Sequence, residues 1–163
     1  MEQYALYLVI KKLIKDAGFS GSITYNDYDS NKDNVVGVII KGGSSPKYRE
    51  LGRGKYYGFT SRVQILMQSG LSKNSLINAL ELSSKVREVL TSDVLNNIYQ
   101  PTGIHEVQGK LKLIEKNSTE EGNIVNVGIS STHMIGDIDF KGKTGQSRSI
   151  YSLNMLINYF IYI

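Results

Sequence analysis

The chain has 163 residues, a formal net charge of +4 and no cysteine. That length fits one domain of ~100–200 residues, and the lack of cysteine excludes disulfides, thiolate zinc sites and iron–sulfur clusters. Only two histidines are present, His105 and His133, and neither lies at a metal-ligand spacing. We therefore expect a single domain over residues 1–163 that uses no metal and no other cofactor.

The first predicted element is an amphipathic helix over residues 2–17. Leu6, Val9 and Ile10 begin an apolar stripe that continues at intervals of three and four residues, which is the spacing of one helical face. Gly18 follows the last residue of the stripe, and glycine accepts the left-handed backbone conformation that ends many helices. We expect the helix to stop there.

The next segment is predicted to contain one buried strand between two loops. Residues 21–34 are rich in Asp, Asn and Ser, which favour turns, and they hold one short strand over 23–25. Residues 35–41 are β-branched and apolar on both faces, which is typical of a strand inside a sheet. Residues 42–57 combine glycines and serines with five charged side chains, so we predict a long, mobile, basic loop.

From residue 59 onward the sequence predicts a helix and four strands. Residues 59–68 alternate apolar and polar side chains, which predicts a strand with one wet face, and residues 74–91 carry a second helical stripe. Patterns of period two follow over residues 107–113, 124–129 and 150–163. The element order is α-β-β-α-β-β-β. Because neighbouring strands are too close in sequence for helical crossovers, we predict an α+β fold whose mainly antiparallel sheet is flanked by two helices.

The basic loop is the first candidate contact region. Cationic and tyrosine side chains alternate in it, a mixture that suits phosphate contacts, base stacking or protein contacts. The chain has eleven tyrosines and no tryptophan, and tyrosine is enriched at protein interfaces. A solvated loop is the alternative interpretation. The candidate residues are Lys47, Tyr48, Arg49, Arg53, Lys55 and Tyr56.

The second candidate contact region is the final strand. Its terminal half is apolar on both sides, because Leu156, Phe160 and Tyr162 lie on the face that begins with polar residues. We expect an edge strand that is covered either by the chain's own helix or by a neighbouring subunit. Residues 153–163 are shorter than the ~20 residues of a membrane-spanning helix, so no membrane partner is expected.

Two sequence patterns resemble a phosphate-binding loop and a carboxylate site, but each lacks a required residue or spacing. The segment from Gly136 to Thr144 looks like a phosphate-binding loop, but five residues separate Gly136 from Gly142 where that loop needs four. A β-pattern rather than a helix follows it. Asp137 and Asp139 would share one side of an extended segment, yet no third acid accompanies them. We predict a turn between two strands and no enzymatic activity.

The closing segment resembles the C-terminal signature of tail terminator and minor capsid (tail completion) proteins of tailed bacteriophages. In that family a glycine-aspartate turn and a Gly-Arg pair precede a Tyr-Ser-x-Asn strand. Here Lys143 stands in place of the arginine, and lysine lacks the planar fork that binds carboxylates at two points. The matching residues are Gly136, Asp137, Asp139, Gly142, Lys143, Tyr151 and Asn154.

The resemblance implies a structural protein of the virion rather than an enzyme. Such proteins form rings, typically hexameric, at the head-proximal end of the tail, and are assembled in the host cytoplasm. The implied partners are other copies of the chain, the tail tube or sheath protein and the head–tail connector proteins, with DNA passing only transiently through the lumen. The ring caps the tube, ends its polymerisation and provides the surface that joins the head.

Other functions remain open at this point. Within the same virion, the chain could be a head–tail joining protein or a tail-tube or sheath subunit. A small nucleic-acid-binding domain that uses the basic loop is a hypothesis from a different class. A nucleotide-dependent enzyme that uses Lys143 and Thr144 is a third.

Overall fold

A computed structural model describes residues 2–28, 34–43, 47–51, 54–68, 81–85, 87–88, 103–112, 119–134, 139–143 and 149–162. It is a mixed α+β domain, as the sequence predicts. Helix α1 is Glu2–Asp16. The strands are β1 (Ser22–Tyr25), β2 (Val35–Gly43), β3 (Lys47–Leu51), β4 (Gly54–Gln68), β5 (Gly103–Lys112), β6 (Thr119–Met134), β7 (Asp139–Lys143) and β8 (Ser149–Tyr162).

Helix α1 ends where the sequence predicts. Gly18 has a φ of 104°, a left-handed conformation that costs glycine little. The amide of Phe19 donates to the carbonyl of Ile14 at 3.4 Å, which is the wide hydrogen bond of a Schellman cap. Phe19 also packs against the core, so the cap fixes both the end of the helix and the entry of the chain into β1.

The strands form one sheet in the order β1-β2-β4-β8-β6-β5, with β3 paired to β4 and β7 paired to β8. The β1–β2 pair is parallel, and the other described pairs are antiparallel. Strand β8 therefore lies inside the sheet, between β4 on one side and β6 and β7 on the other. The prediction that the final strand is a sheet edge is wrong.

The sheet curls around α1. The helix contacts β1 and β2 at one end of the strand order and β5 and β6 at the other, which a flat sheet of this width would not allow. We call the face against α1 the concave face and the opposite one the convex face. The concave face and α1 form the core, and the side chains exposed by no more than 1% include Leu6, Val9, Ile10, Val38, Ile65, Ile129, Leu153, Met155, Ile157 and Tyr159.

Alternation along β4 and β8 produces the two faces. Phe59, Val63 and Ile65 of β4 are buried on the concave face, while Arg62 on the convex face is exposed. This confirms the predicted strand with one wet face, although β4 begins five residues earlier than predicted, at Gly54. Hydrophobic burial on one side fixes the register, because a one-residue slip would exchange the faces.

The prediction of a loop over residues 42–57 is wrong for most of these residues, which belong to strands. Gly42 and Gly43 end β2, and Lys47–Leu51 forms β3, which pairs antiparallel with the first part of β4. A backbone paired in a ladder satisfies its hydrogen bonds locally, so the glycine and lysine content of this segment does not prevent a hairpin.

Two further differences concern the rest of the sheet. Strand β6 begins at Thr119, five residues before the strand predicted over residues 124–129, and it continues to Met134. Asp139–Lys143, in the segment predicted as a turn between two strands, forms an additional strand, β7. Residues 81–85 and 87–88 are helical, within the predicted second helix, and Leu82 packs against the core. The remainder of that predicted helix lies outside the described residues.

Candidate interaction surface

The convex face of β2, β4 and β8 mixes cations, amides, hydroxyls and apolar side chains. It is the face opposite α1, and most of its side chains are half-buried. Its described side chains are Ile39, Lys41, Thr60, Arg62, Gln64, Leu66, Ser152, Asn154, Leu156, Asn158 and Phe160. Two of these described side chains, Lys41 and Arg62, are cationic, and none is acidic.

Hydrogen bonds tie the polar side chains of the convex face together. The hydroxyl of Thr60 donates to Oδ1 of Asn158 at 2.5 Å, across the β4–β8 pair. The amide of Gln64 donates to Oγ of Ser152 at 2.9 Å, and that hydroxyl donates to Oδ1 of Asn154 at 3.2 Å. Linked side chains of this kind are held in place, so the face presents a fixed pattern.

Two exposed cations lie directly opposite each other on this face. Lys41 of β2 pairs in register with Arg62 of β4, and both side chains are exposed. Like charges at directly opposite positions destabilise a sheet. Within the described part of the chain, neither cation has an ion-pair partner.

Phe160 lies in a row of the sheet where both neighbours are glycines. Gly58 of β4 and Gly128 of β6 are its register partners. A Cβ built at Gly128 would lie 2.1 Å from Cζ of Phe160, so the end of the ring occupies the space above this glycine. The ring is half-buried against the sheet and keeps part of its surface exposed.

The register divides the predicted basic cluster between two faces. Arg49 is opposite Tyr56, and Lys47 is opposite Gly58. Tyr56 and Gly58 are even-numbered positions of β4, as Arg62 is, so these rows belong to the convex face. Tyr48 is opposite Tyr57 and Lys55 is opposite Glu50, in rows that belong to the other face. Arg53 lies outside the described residues.

The same register brings the two candidate contact regions together. Tyr56 pairs with Tyr162, and Gly58 pairs with Phe160, so the β3–β4 hairpin and the end of β8 share rows of one sheet. Leu156 occupies the row of Arg62. The two predicted regions therefore meet in neighbouring rows of one sheet, although Tyr48 and Lys55 belong to rows of the other face. No local pattern indicated this, because strand order depends on long-range pairing.

The residues of the family-like motif lie at the start of β8 and in β7. Asp139 pairs with Ser152, and Lys143 pairs with Ser149. Tyr151 and Asn154 belong to β8, Gly142 belongs to β7, and Gly136 and Asp137 lie outside the described residues. The β-run predicted after Arg148 is confirmed, and the next described residues after Lys143 form β8 rather than a helix.

Four of the eleven tyrosines have clear roles within the chain. Tyr4, Tyr7 and Tyr25 pack together with ring centroids 5.0–5.6 Å apart, and the hydroxyl of Tyr7 donates to the carbonyl of Ile23 at 3.0 Å. Burial, and to a lesser degree the nearby Tyr4, raises the pKa of Tyr7. Tyr159 stacks on Phe59 at 5.4 Å. These tyrosines pack within the chain, so their number does not by itself indicate an interface.

Strand β5 offers an edge that sequence reasoning missed. It pairs with β6 on one side and ends the strand order of the sheet. No described strand pairs with its other side. The alternation of Glu106, Gln108, Lys110 and Lys112 with apolar residues predicts the strand itself, but not its place at the edge.

The sequence matches no protein-family model, and no curated protein is significantly similar to it. Among the described helical residues, no helix has the length and apolar character needed to cross a membrane. The part of the chain that the structure describes contains no group of three or more His, Asp or Glu side chains arranged to hold a metal ion.

Proposed function

We propose that this chain is a structural subunit of a bacteriophage tail, a terminator that forms a ring at the head-proximal end of the tube. Two properties support the proposal: the motif shared with that family, and the α+β fold that the family implies. In the proposed protomer, two helices flank the sheet in the order α-β-β-α-β-β-β, and β1, β3 and β7 are short additions.

The open side of β5 carries this proposal most directly. A ten-residue strand that has no described strand on one side presents backbone N–H and C=O groups that a strand of another chain can satisfy. The sheet ends in two different strands, β1 and β5. A contact between unlike surfaces is heterologous, and it closes into a ring when the rotation between subunits allows. We therefore propose that β5 of one subunit lies beside β1 of the next.

The mechanism of such a protein is steric. A tube of stacked rings grows because each ring exposes a template for the next ring. A terminator ring matches the tube on one surface and differs from it on the other, so polymerisation stops and the second surface is available to the head. No bond is made or broken in this process.

Adjacent proline variants test the interface. In an antiparallel ladder, successive N–H groups alternate between the paired and the open side of a strand. Of Glu106→Pro and Val107→Pro, one removes a donor on the open side and the other a donor to β6. We expect the variant that loses the open-side donor to remain folded by circular dichroism but to lose the oligomer seen by light scattering. The variant that loses the donor to β6 should be destabilised.

The pair also provides its own control. If the folded variant assembles like the parent, the open side of β5 is not the interface. A parent protein that is monomeric at high concentration would contradict the ring itself.

A further inference from the structure

We propose that the phenol of Tyr7 is an autoinhibitory latch on the edge of β1, which weakens the contact between subunits until the hydroxyl is displaced. This inference rests on the proposed ring, in which β5 of one subunit lies beside β1 of the next, and it names how that contact is regulated. The latch is the hydrogen bond from the hydroxyl of Tyr7 on α1 to the carbonyl oxygen of Ile23 on β1, 3.0 Å apart.

The backbone of β1 bonds to β2 through its even-numbered residues. The amide of Ser22 donates to the carbonyl of Asn34 at 3.1 Å. Just beyond the other end of the strand, the amide of Asn26 donates to the carbonyl of Val38 at 2.8 Å. In a parallel ladder the N–H and C=O of one residue point to the same neighbour, and successive residues alternate sides. The N–H and C=O of Ile23 therefore point away from β2, to the side where a further strand would pair.

Tyr7 occupies an acceptor that strand pairing would need. Strand β1 has four residues, and two of them, Ile23 and Tyr25, have backbone groups on the side away from β2. The carbonyl of Ile23 is one of these groups, and the hydroxyl of Tyr7 already donates to it within the subunit. Tyr7 and Ile23 are both buried, so α1 covers this point of the edge, and covering an edge with a helix is one way in which proteins block strand addition.

Packing holds the phenol against the edge. The ring of Tyr7 lies 5.6 Å from the ring of Tyr4 and 5.0 Å from that of Tyr25. A neighbouring strand would lie ~4.8 Å from β1, a spacing at which its backbone and the phenol compete for the space around the oxygen of Ile23. When the phenol is displaced, its buried hydroxyl loses its partner, so one hydrogen bond opposes the contact between subunits.

Sedimentation equilibrium of the parent, Tyr7→Phe and Tyr4→Phe tests the latch. Tyr7→Phe removes the hydroxyl and keeps the ring. Tyr4→Phe is the matched control, because it makes the same change in the same cluster. We expect Tyr7→Phe to associate about three- to tenfold more tightly than the parent at each subunit contact, since no hydrogen bond is given up on assembly. Tyr4→Phe should stay within about twofold of the parent.

Hydrogen exchange at the amide of Ile23 shows whether β1 takes part in the contact. This N–H points away from β2, so it should exchange quickly in dilute parent subunits and slowly in the assembled protein, where β5 of the neighbour accepts from it. The amide of Thr24 faces β2, so it should stay protected in both states and provides the internal reference. Circular dichroism establishes that both variants are folded before their association is compared.

The outcomes distinguish the latch from the ring. If the parent assembles and Tyr7→Phe associates no more tightly than Tyr4→Phe, the latch is wrong and the ring still stands. If the amide of Ile23 exchanges equally fast in dilute and assembled protein, the latch is wrong together with the β5–β1 contact, although the protein still forms an oligomer. If the parent and both variants stay monomeric at high concentration, the ring itself is contradicted, and the latch with it.

Discussion

The ring of Phe160 occupies the space that a side chain at Gly128 would fill, since a Cβ at that glycine would lie 2.1 Å from Cζ of the ring. The two residues are register partners in β8 and β6. The sequence at one position therefore depends on the other, across two strands that are separated in the chain by a further strand, β7.

Replacing this glycine is expected to destabilise the protein. Gly128→Ala forces the ring of Phe160 to move and should lower the free energy of unfolding by about 1–3 kcal/mol, as overpacking does. Urea denaturation measures the change. Gly42→Ala is the matched control, because nothing lies within 4 Å of a Cβ there. In a protein that already carries Phe160→Ala, Gly128→Ala should cost much less. If Gly128→Ala costs the same with and without the ring of Phe160, the two residues are not coupled.

The hydroxyl of Tyr7 is expected to stabilise the junction of α1 and β1. Tyr7 is 5% exposed and donates to the carbonyl of Ile23, so Tyr7→Phe should cost about 0.5–1.5 kcal/mol in the free energy of unfolding. Tyr4→Phe, in the same aromatic cluster, should cost less because Tyr4 is half-buried. Thermal and urea denaturation of both variants decide this, and equal costs would argue against a specific bond.

The pKa of Tyr7 predicts how this contribution changes with pH. Burial raises the pKa in the folded state, so the neutral phenol is favoured by folding. The stabilisation is fully present below the unfolded pKa of about 10 and is lost as pH rises through the folded value. The stability difference between the parent and Tyr7→Phe should therefore shrink above pH of about 10. A difference that stays constant into that range would contradict the buried phenol.

Hydrogen exchange should show the interior position of β8. Its amides lie between β4 and β6 over residues 155–162, so they should be among the slowest to exchange in the native protein. Amides of the end strands β1 and β5 should exchange faster. Mass spectrometry of peptides from these strands provides the comparison, and fast exchange across residues 155–162 would contradict the strand order.

The local patterns of the sequence predicted the elements with the strongest periodicity. The stripe that begins at Leu6 and the alternation of Phe59, Val63 and Ile65 reflect burial against one core, so both the element and its buried face could be recognised. The stop at Gly18 was predictable for the same local reason, because its conformation needs glycine.

The parts that were missed depend on pairing between distant residues. Strand β3 is rich in charge, and only the two residues between Leu51 and Gly54, with glycine first, could have indicated a hairpin. The parallel β1–β2 pair and the place of β8 inside the sheet follow from strand order, which periodicity does not encode. For that reason the convex face and the open side of β5 could be recognised only after the fold was described.

Negative-stain electron microscopy of the purified protein would show directly whether it forms rings. We expect closed rings of uniform diameter, with the six-fold symmetry that the resemblance implies. Isolated single subunits at high protein concentration, with no rings, would contradict the assignment as a ring-forming tail protein.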